Sequence, residues 1–251
     1  MADRTIWGLV KFFTVEEYAD RFIGGELHLN RLSYFQNIES ECEDGRADEN
    51  EAVAMWWQPN GMIIKLSVPS LGLQTEITEK DLAAPISVGS GRHSDWHVFC
   101  MYAIYTSGYA FTGRMLKGTE RDFLELNRQI SFDERCLKFG KFAVIVSGRP
   151  FLEHLKQEMI RQGHRHKWKL VEYYDDKTFN GEIEEREIPF MKQIRFEYQK
   201  EFRICVDTKT IGDGAIKINL GDISHMCQKI ESSCLKDALK LLASSAEIHP
   251  K

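Results

Sequence analysis

Glu201 and Arg203 stand two residues apart in Glu201-Phe202-Arg203-Ile204-Cys205-Val206-Asp207. In an extended strand successive side chains point to opposite faces, so Phe202, Ile204 and Val206 share one face. Glu201, Arg203, Cys205 and Asp207 then share the other, and the alternation predicts a half-buried strand with one polar side. A guanidinium beside a carboxylate keeps it ionised and oriented, and can also meet a pyrophosphate. Lys192, Arg195 and Lys200 add cations nearby. A second polar cluster, Arg46, Asp48 and Glu51, precedes the strand-like segment Ala52 to Trp57. Together the two clusters offer three kinds of chemistry. An ionised Glu201 can stabilise a cation that develops on a substrate. Asp48, Glu51 and Glu201 can hold a magnesium ion, with Lys200 or Lys192 near a phosphate, as a metal-dependent nuclease requires. Alternatively, Arg46 with Glu201 and Asp48 with Arg203 are buried ion pairs that fix the core of a non-enzymatic binding or sensor module.

Arg161, His164, Arg165, His166, Lys167 and Lys169 form the one basic run, with Trp168 inside it. Cations with an interleaved aromatic ring can hold phosphates and stack a base, so Arg161, Arg165, Lys167 and Trp168 are candidate nucleic-acid contacts. The same run also reads as a charged helix end feeding a strand from Lys167 to Tyr174. His93 and His97 lie four apart, but His97 falls in or beside a strand, so the two do not share a helical face as a metal pair would. His28 alternates with Leu27 and Leu29 and points away from them, where it can line a pocket. There is no phosphate-binding Gly-x-x-x-x-Gly-Lys-Ser/Thr, no His-Glu-x-x-His and no Gly-x-Ser-x-Gly. Gly89-Ser90-Gly91 lacks the rest of a dinucleotide fingerprint. Cys42, Cys100, Cys136, Cys205, Cys227 and Cys234 are scattered without a Cys-x-x-Cys pair, which suits buried free thiols and no structural zinc.

These residues need a scaffold. The chain has 251 residues, 43% hydrophobic and 28% charged, as expected of a globular protein with a real core. The net charge of −5 argues against a surface devoted wholly to nucleic acid, though not against a local basic groove. No apolar run is long enough to cross a bilayer and no signal peptide is evident, so a cytoplasmic protein without a membrane partner is expected. Ile6 to Phe13 reads as a first strand. Thr14 with Glu17 has the spacing of a capping box, and Phe13 with Tyr18 that of a hydrophobic staple. The helix they open carries Val15, Tyr18, Ala19, Phe22 and Ile23 on its apolar stripe and ends at Gly24-Gly25. Glu26 to Asn30 is a short strand. Ile38 to Glu51 is acidic and turn-rich, and Asn60-Gly61 predicts a hairpin between strands 52–57 and 62–68. Further strands are expected over 83–88, 96–105, 141–147 and 215–220, and helices over 119–127, from Pro150 to Gly163, and over 234–242. A second helix start is expected at Ser131-Phe132-Asp133-Glu134. The expected architecture is one α+β domain, residues 1–251, with a central, mostly antiparallel mixed sheet flanked by helices.

The order of strand, helix, Gly24-Gly25-Glu26-Leu27-His28-Leu29-Asn30, Tyr34-Phe35 and Gly45-Arg46-x-Asp48-x-x-Glu51 resembles an uncharacterised bacterial and phage family associated with defence genes. Lys192…Tyr198-Gln199-Lys200-Glu201-Phe202-Arg203 resembles that family's late Lys…Tyr-x-x-Glu-x-Arg signature. The layout is also loosely similar to that of the ADP-ribosyltransferases. It shares a first strand with a polar residue, a helix ending near Gly-x-Leu, an aromatic residue and a late strand led by Glu. The first strand offers Lys11 where those enzymes have Arg or His, and no Ser-Thr-Ser-type second motif is visible. That resemblance implies NAD as cofactor, Glu201 as the catalytic carboxylate with Arg203 beside it, Tyr34 as a ring stacked on nicotinamide, and Lys11 or His28 as the ribose contact. Arg46, Asp48 and Glu51 join the expected binding residues. The expected partner is NAD or another nucleotide, with nucleic acid or a partner protein as the alternatives, in phage–host conflict or defence.

Overall fold

The computed structural model describes residues 4–37, 47–108, 119–212 and 214–239. The first strand, β1 (Arg4–Phe13), leads through α1 (Glu16–Ile23) to β2 (Glu26–Arg31) and α2 (Leu32–Asn37). Then come β3 (Val53–Trp57), β4 (Ile63–Val68), β5 (Leu73–Thr78), β6 (Ile86–Gly89), the short α3 (Gly91–Ser94) and the long β7 (His97–Ser107). The middle of the chain holds α4 (Glu120–Ile130), β8 (Phe142–Ser147), α5 (Gly148–Arg161), β9 (His166–Leu170), β10 (Glu172–Tyr174) and β11 (Gly181–Glu182). It closes with β12 (Met191–Gln193), β13 (Glu201–Val206), β14 (Ile216–Asn219), β15 (Cys227–Glu231) and α6 (Leu235–Ala238).

The expected α+β class is what the chain adopts. The main sheet runs β14-β2-β7-β1-β8-β15, with β13 on the other edge of β7 and β9 beyond it. Every pairing in it is antiparallel. Among the described residues the one parallel ladder joins β10 to β12 outside this sheet. One face carries Leu9, Phe99, Met101, Phe202, Ile204 and Val206, against which α1 sets Ala19 and Phe22 and α5 sets Phe151, Leu155 and Met159. The other face is covered twice: Val10, Tyr102 and Ile104 meet Ile130 of α4 and Leu235 of α6, while Val98 and Cys205 meet Trp56, Ile188 and Phe190. Covering both faces is why β7 reads as a near-continuous apolar run. Among the described residues no helix is long and apolar enough to cross a membrane.

Several local expectations need correction. Strand β1 stays extended through Phe13, paired with Phe142, and the cap of α1 falls at Val15, so Thr14 and Glu17 form no capping box. Phe13 packs on Phe22, and Tyr18 is exposed, so the staple does not form either. The Asn60-Gly61 turn exists, but it does not close a hairpin: β3 is flanked by β6 and β11, and β4 pairs with β5. The expected strand 167–174 divides into β9 and β10, which belong to different sheets. Strand β15 was not signalled by the sequence pattern. Of the expected helix 234–242, Leu235–Ala238 is helical, and residues from 240 onward lie outside the described residues. The box of Thr119 with Asp122 and the Pro150 helix form as expected.

Candidate functional site

The site is built where the main sheet forks. Strand β13 occupies one edge of β7 from His97 to Tyr102. On the opposite edge β1 pairs only as far as Val10↔Tyr102, and β2 joins at Asn30↔Val98. The main chain of Phe99, Cys100 and Met101 therefore has no strand partner on that side. Lys11, just past the end of the β1 ladder, reaches into the gap: its Nζ donates to the Cys100 carbonyl at 2.7 Å and sits 4.3 Å from the Phe99 ring centre. A cavity of about 170 Å³ opens here, walled by Lys11, Phe12, Tyr34, Cys100, Lys192 and Glu201, among others. A second cavity of about 420 Å³, which includes His28, Arg21 and Lys217, shares Lys11, Phe12, Asn30 and Phe139 with it.

The floor of the first cavity is a buried charge network. Strand β13 is buried on both faces, not half-buried, because Pro189, Phe190 and the Glu51 turn cover its polar side. Arg203 is 1% exposed and makes four bonds there. Its Nη1 and Nη2 donate to the two oxygens of Glu51 at 2.9 Å each, its Nε to Glu201 Oε1 at 2.7 Å, and Nη1 also to the Pro189 carbonyl at 2.7 Å. Lys192 is equally enclosed: Nζ donates to Gln199 at 3.1 Å and to Glu201 Oε2 at 3.3 Å, and lies 3.4 Å from Glu51 Oε1. The expected pairing of Asp48 with Arg203 is thus replaced by Glu51 with Arg203. Asp48 sits three residues before Glu51, 3.9 Å from Arg195, with its Oδ2 buried and without a hydrogen-bond partner. Arg46 lies outside the described residues, as does Cys42.

Backbone geometry aims both glutamates. Ala52 (φ 58°) follows Glu51, and Lys200 (φ 39°) precedes Glu201. Non-glycine residues in the left-handed region cost of order 1 kcal/mol each and persist where the surroundings hold them. Lys200 is held by bonds from its Nζ to the carbonyls of Gln129 and Ser131, and the Glu201 N–H donates to the Tyr173 hydroxyl at 2.9 Å.

The electrostatics follow from burial and neighbours. Burial alone would raise the pKa of Glu201, but the charges of Arg203 and Lys192 reverse this and hold it well below the usual carboxylate range. Burial would lower that of Lys192, and Glu201 and Glu51 push it up instead. Asp48 goes the other way: burial, then the charge of Glu51, raises it from 3.8 to about 6 against Lys192 and Arg195. Burial, with Glu201 beside it, pushes the Cys100 thiol up to about 12, so it is not a thiolate nucleophile.

The structure therefore brings Lys11, Tyr34, Glu51, Glu201 and Arg203 to one cavity, puts His28 in the adjoining one, and buries Asp48 beside Arg195, outside both linings. Lys192 and Gln199 belong to it as fully as Arg203. Their signal was their place in the late motif, where the sequence gives Lys192 only as a nearby cation. The residues of the basic run lie elsewhere. Arg161 pairs with Glu158 at 2.6 Å, and Lys169 with Glu172 and Glu187. Trp168 packs against the first core and stacks on His166. Arg165 and Lys167 line a separate cleft with Trp96, Arg92, Glu185 and Asp207. His93 and His97 are buried on different partners, Ser90 and Gly214, and no group of three metal-capable side chains occurs among the described residues. No family model, curated protein or solved structure matches the chain.

Proposed function

We propose that the chain is an NAD-dependent enzyme of the ADP-ribosyltransferase kind, with Glu201 as its catalytic carboxylate, acting in phage–host conflict. The observation that supports it is convergence: Lys11, Tyr34, Glu51, Glu201 and Arg203, spread over the whole sequence, wall one cavity at the fork, and His28 lines its neighbour. In such a transfer the bond between nicotinamide and ribose breaks, and its electron pair leaves with the nicotinamide nitrogen. Positive charge develops on the ribose, and the acceptor's lone pair forms the new bond. A fixed anion next to that charge lowers the barrier. Glu201 is such an anion, since Arg203 and Lys192 keep it ionised. For the same reason it is a poor proton acceptor, so its role is electrostatic and the acceptor's proton goes to solvent. Tyr34 offers an exposed ring for stacking, and Lys11 an ammonium group at the mouth.

A second reading, a non-enzymatic binding module, is favoured by one feature. Both Glu201 oxygens are already engaged, Oε1 by Arg203 and Oε2 by Lys192. The nuclease reading fares worse, because the Arg203 guanidinium lies between Glu51 and Glu201, where a shared cation would have to sit. The deciding experiment adds NAD to wild type and to Glu201→Gln and follows melting temperature and free nicotinamide. Wild type is expected to be stabilised by NAD, as any ligand that prefers the folded state must do, and to release nicotinamide. Glu201→Gln is expected to lose the release. A wild type indifferent to NAD transfers the case to the binding module.

A further inference from the structure

Strand β9 pairs with β13 alone, and its alternation divides the basic run between two faces. Trp168 and Leu170 turn to the first core. Lys167 and Lys169 take the other face, opposite Cys205 and Arg203 of β13. Just past the last pair, Val206↔His166, the Asp207 N–H donates to the Arg165 carbonyl at 3.0 Å. On its other side Val206 faces His97, the residue after Trp96. Trp96, Asp207 and Arg165 thus stand next in line at the ends of three adjacent strands, and with Lys167 they wall a cleft of about 790 Å³. The charges there are unevenly matched. Arg92 pairs with Glu185 at 2.7 Å and Arg186 with Glu184 at 2.8 Å. Lys169, further along the same face, is held by Glu172 and Glu187. Arg165 and Lys167 are exposed, and neither forms an ion pair among the described residues. The remaining acid of the cleft, Asp207, accepts from the Lys209 N–H. The Lys167 ammonium sits 5.8 Å from the centre of the Trp96 ring, which His93 braces at 5.1 Å. His93 is itself buried and bonded to Ser90 at 2.7 Å, so the indole has a fixed support.

We propose that this cleft holds a short stretch of single-stranded nucleic acid, one base stacked on Trp96 and its two flanking phosphates on Arg165 and Lys167. Every base has a π-face and every linkage a phosphate, so a supported indole beside two available cations matches a strand without reading its sequence. The ring comes from the start of β7, because alternation along β9 sends Trp168 to the opposite face. A duplex fits poorly, since its bases are already paired and stacked. A free mononucleotide has one phosphate site for the two cations. The net charge of −5 repels a polyanion beyond the cleft, which keeps the contact short. Such a site stands whether or not Glu201 acts on NAD.

Fluorescence anisotropy of a labelled single-stranded oligonucleotide of about ten residues, titrated with the full chain, tests this. Wild type is expected to bind with a Kd of about 1–100 µM at physiological salt. For two phosphates, the single-strand slope of about −0.7 per phosphate turns a four-fold rise in salt into a loss of about seven-fold. Trp96→Leu keeps apolar bulk against the second core but removes the stacking face, and is expected to weaken binding about ten-fold. Trp96→Phe, which keeps a ring, is expected to stay close to wild type. Arg165→Glu with Lys167→Glu, both at exposed positions, is expected to abolish binding while the circular dichroism spectrum stays that of wild type. The same sequence as a duplex, and AMP as a competitor, are each expected to bind at least about ten-fold more weakly than the strand. A wild type that leaves the strand free at about 100 µM overturns the proposal. Binding that ignores salt or survives the charge reversal overturns it as well. Duplex bound as tightly as single strand, or Trp96→Leu binding as tightly as wild type, removes the stacked base and with it the proposal. AMP bound as tightly as the strand overturns it too, and leaves a mononucleotide site.

Discussion

Arg203 grips Glu51 through two parallel N–H···O bonds of 2.9 Å, although the residues lie 152 positions apart in the chain. The pair ties the turn before β3 to the late strand β13, and its Nε bond to Glu201 sets the orientation of the cavity carboxylate. Arg203→Lys keeps the charge but not the fork. An ammonium group cannot serve Glu51 with two parallel bonds while holding Glu201 and the Pro189 carbonyl. Losing charge-assisted hydrogen bonds and leaving buried acceptors unsatisfied costs about 3 kcal/mol. For a chain of this size that is a fall in melting temperature of about 10 °C, read by circular dichroism. An unchanged melting temperature would remove the network as a structural element.

Asp48 gives stability an unusual pH dependence. Its pKa is higher in the folded protein (about 6) than its ordinary 3.8, so the folded state holds the proton more tightly across that window. Stability from this group is therefore gained as pH falls from 7 through 6 towards 4, and lost as pH rises. Glu201 acts in the opposite sense, because its folded pKa is depressed: its contribution is present above about pH 4 and lost as pH falls below it. Asp48→Asn removes the ionised form, and is expected to stabilise the protein at pH 7.5 by about 2 kcal/mol and to have almost no effect near pH 4. Urea midpoints at four or five pH values measure this. A destabilised variant at pH 7.5 would show that the Asp48 charge is needed.

The basic run separates into structural and exposed parts. Trp168→Ala removes a ring from the first core and is expected to cost about 3 kcal/mol, whatever the protein binds. Arg165→Ala with Lys167→Ala touches exposed side chains and is expected to leave stability within about 0.5 kcal/mol. Any affinity for a single-stranded oligonucleotide is expected to follow Arg165 and Lys167 and to fall steeply with salt. Fluorescence anisotropy at two salt concentrations tests the assignment. Binding that survives the double change would move the contact away from this cleft.

What the sequence made legible is what local pattern encodes. Phe202, Ile204 and Val206 alternate into the core, and Phe151, Leu155 and Met159 recur at helical spacing, because period alone decides which face is apolar. Long-range coverage was not legible. Glu201 and Arg203 look like a solvated face, and only folding brings Pro189 and Glu51 over them. Spacing could not separate Asp48 from Glu51 as the partner of Arg203, since three residues of turn can present either. Asn60-Gly61 encodes a turn but not a hairpin between its flanking strands, because both edges of β3 are filled by β6 and β11. The fork itself is a property of three pairings, and no single segment carries it.

Tyr34 should separate ligand binding from folding. Its ring is 49% exposed and meets Phe35 edge-on with centres 5.3 Å apart, so Tyr34→Ala removes little buried surface. Melting is expected to move by no more than about 2 °C. On the proposed reading, loss of a stacking ring weakens binding of an aromatic base by about 1–3 kcal/mol, roughly five-fold to 150-fold in Kd for NAD. Calorimetric titration reads this directly. Equal affinity in the variant would take Tyr34 out of the site.

Lys11 tests the fork most directly, because it meets the cavity and the uncovered edge of β7 with one side chain. Its Nζ satisfies the Cys100 carbonyl, which no strand reaches, and lies 4.3 Å from the centre of the Phe99 ring. Lys11→Met preserves the stem but removes the donor, so two effects are expected together. An unpaired, part-buried carbonyl should lower stability by about 1–3 kcal/mol. Loss of the cation at the mouth should also weaken NAD more than it weakens nicotinamide alone, since only the dinucleotide carries phosphates. Comparing the two ligands on the same variant cancels the stability effect. Equal losses for both would place Lys11 away from the phosphates and confine its role to closing the edge of β7.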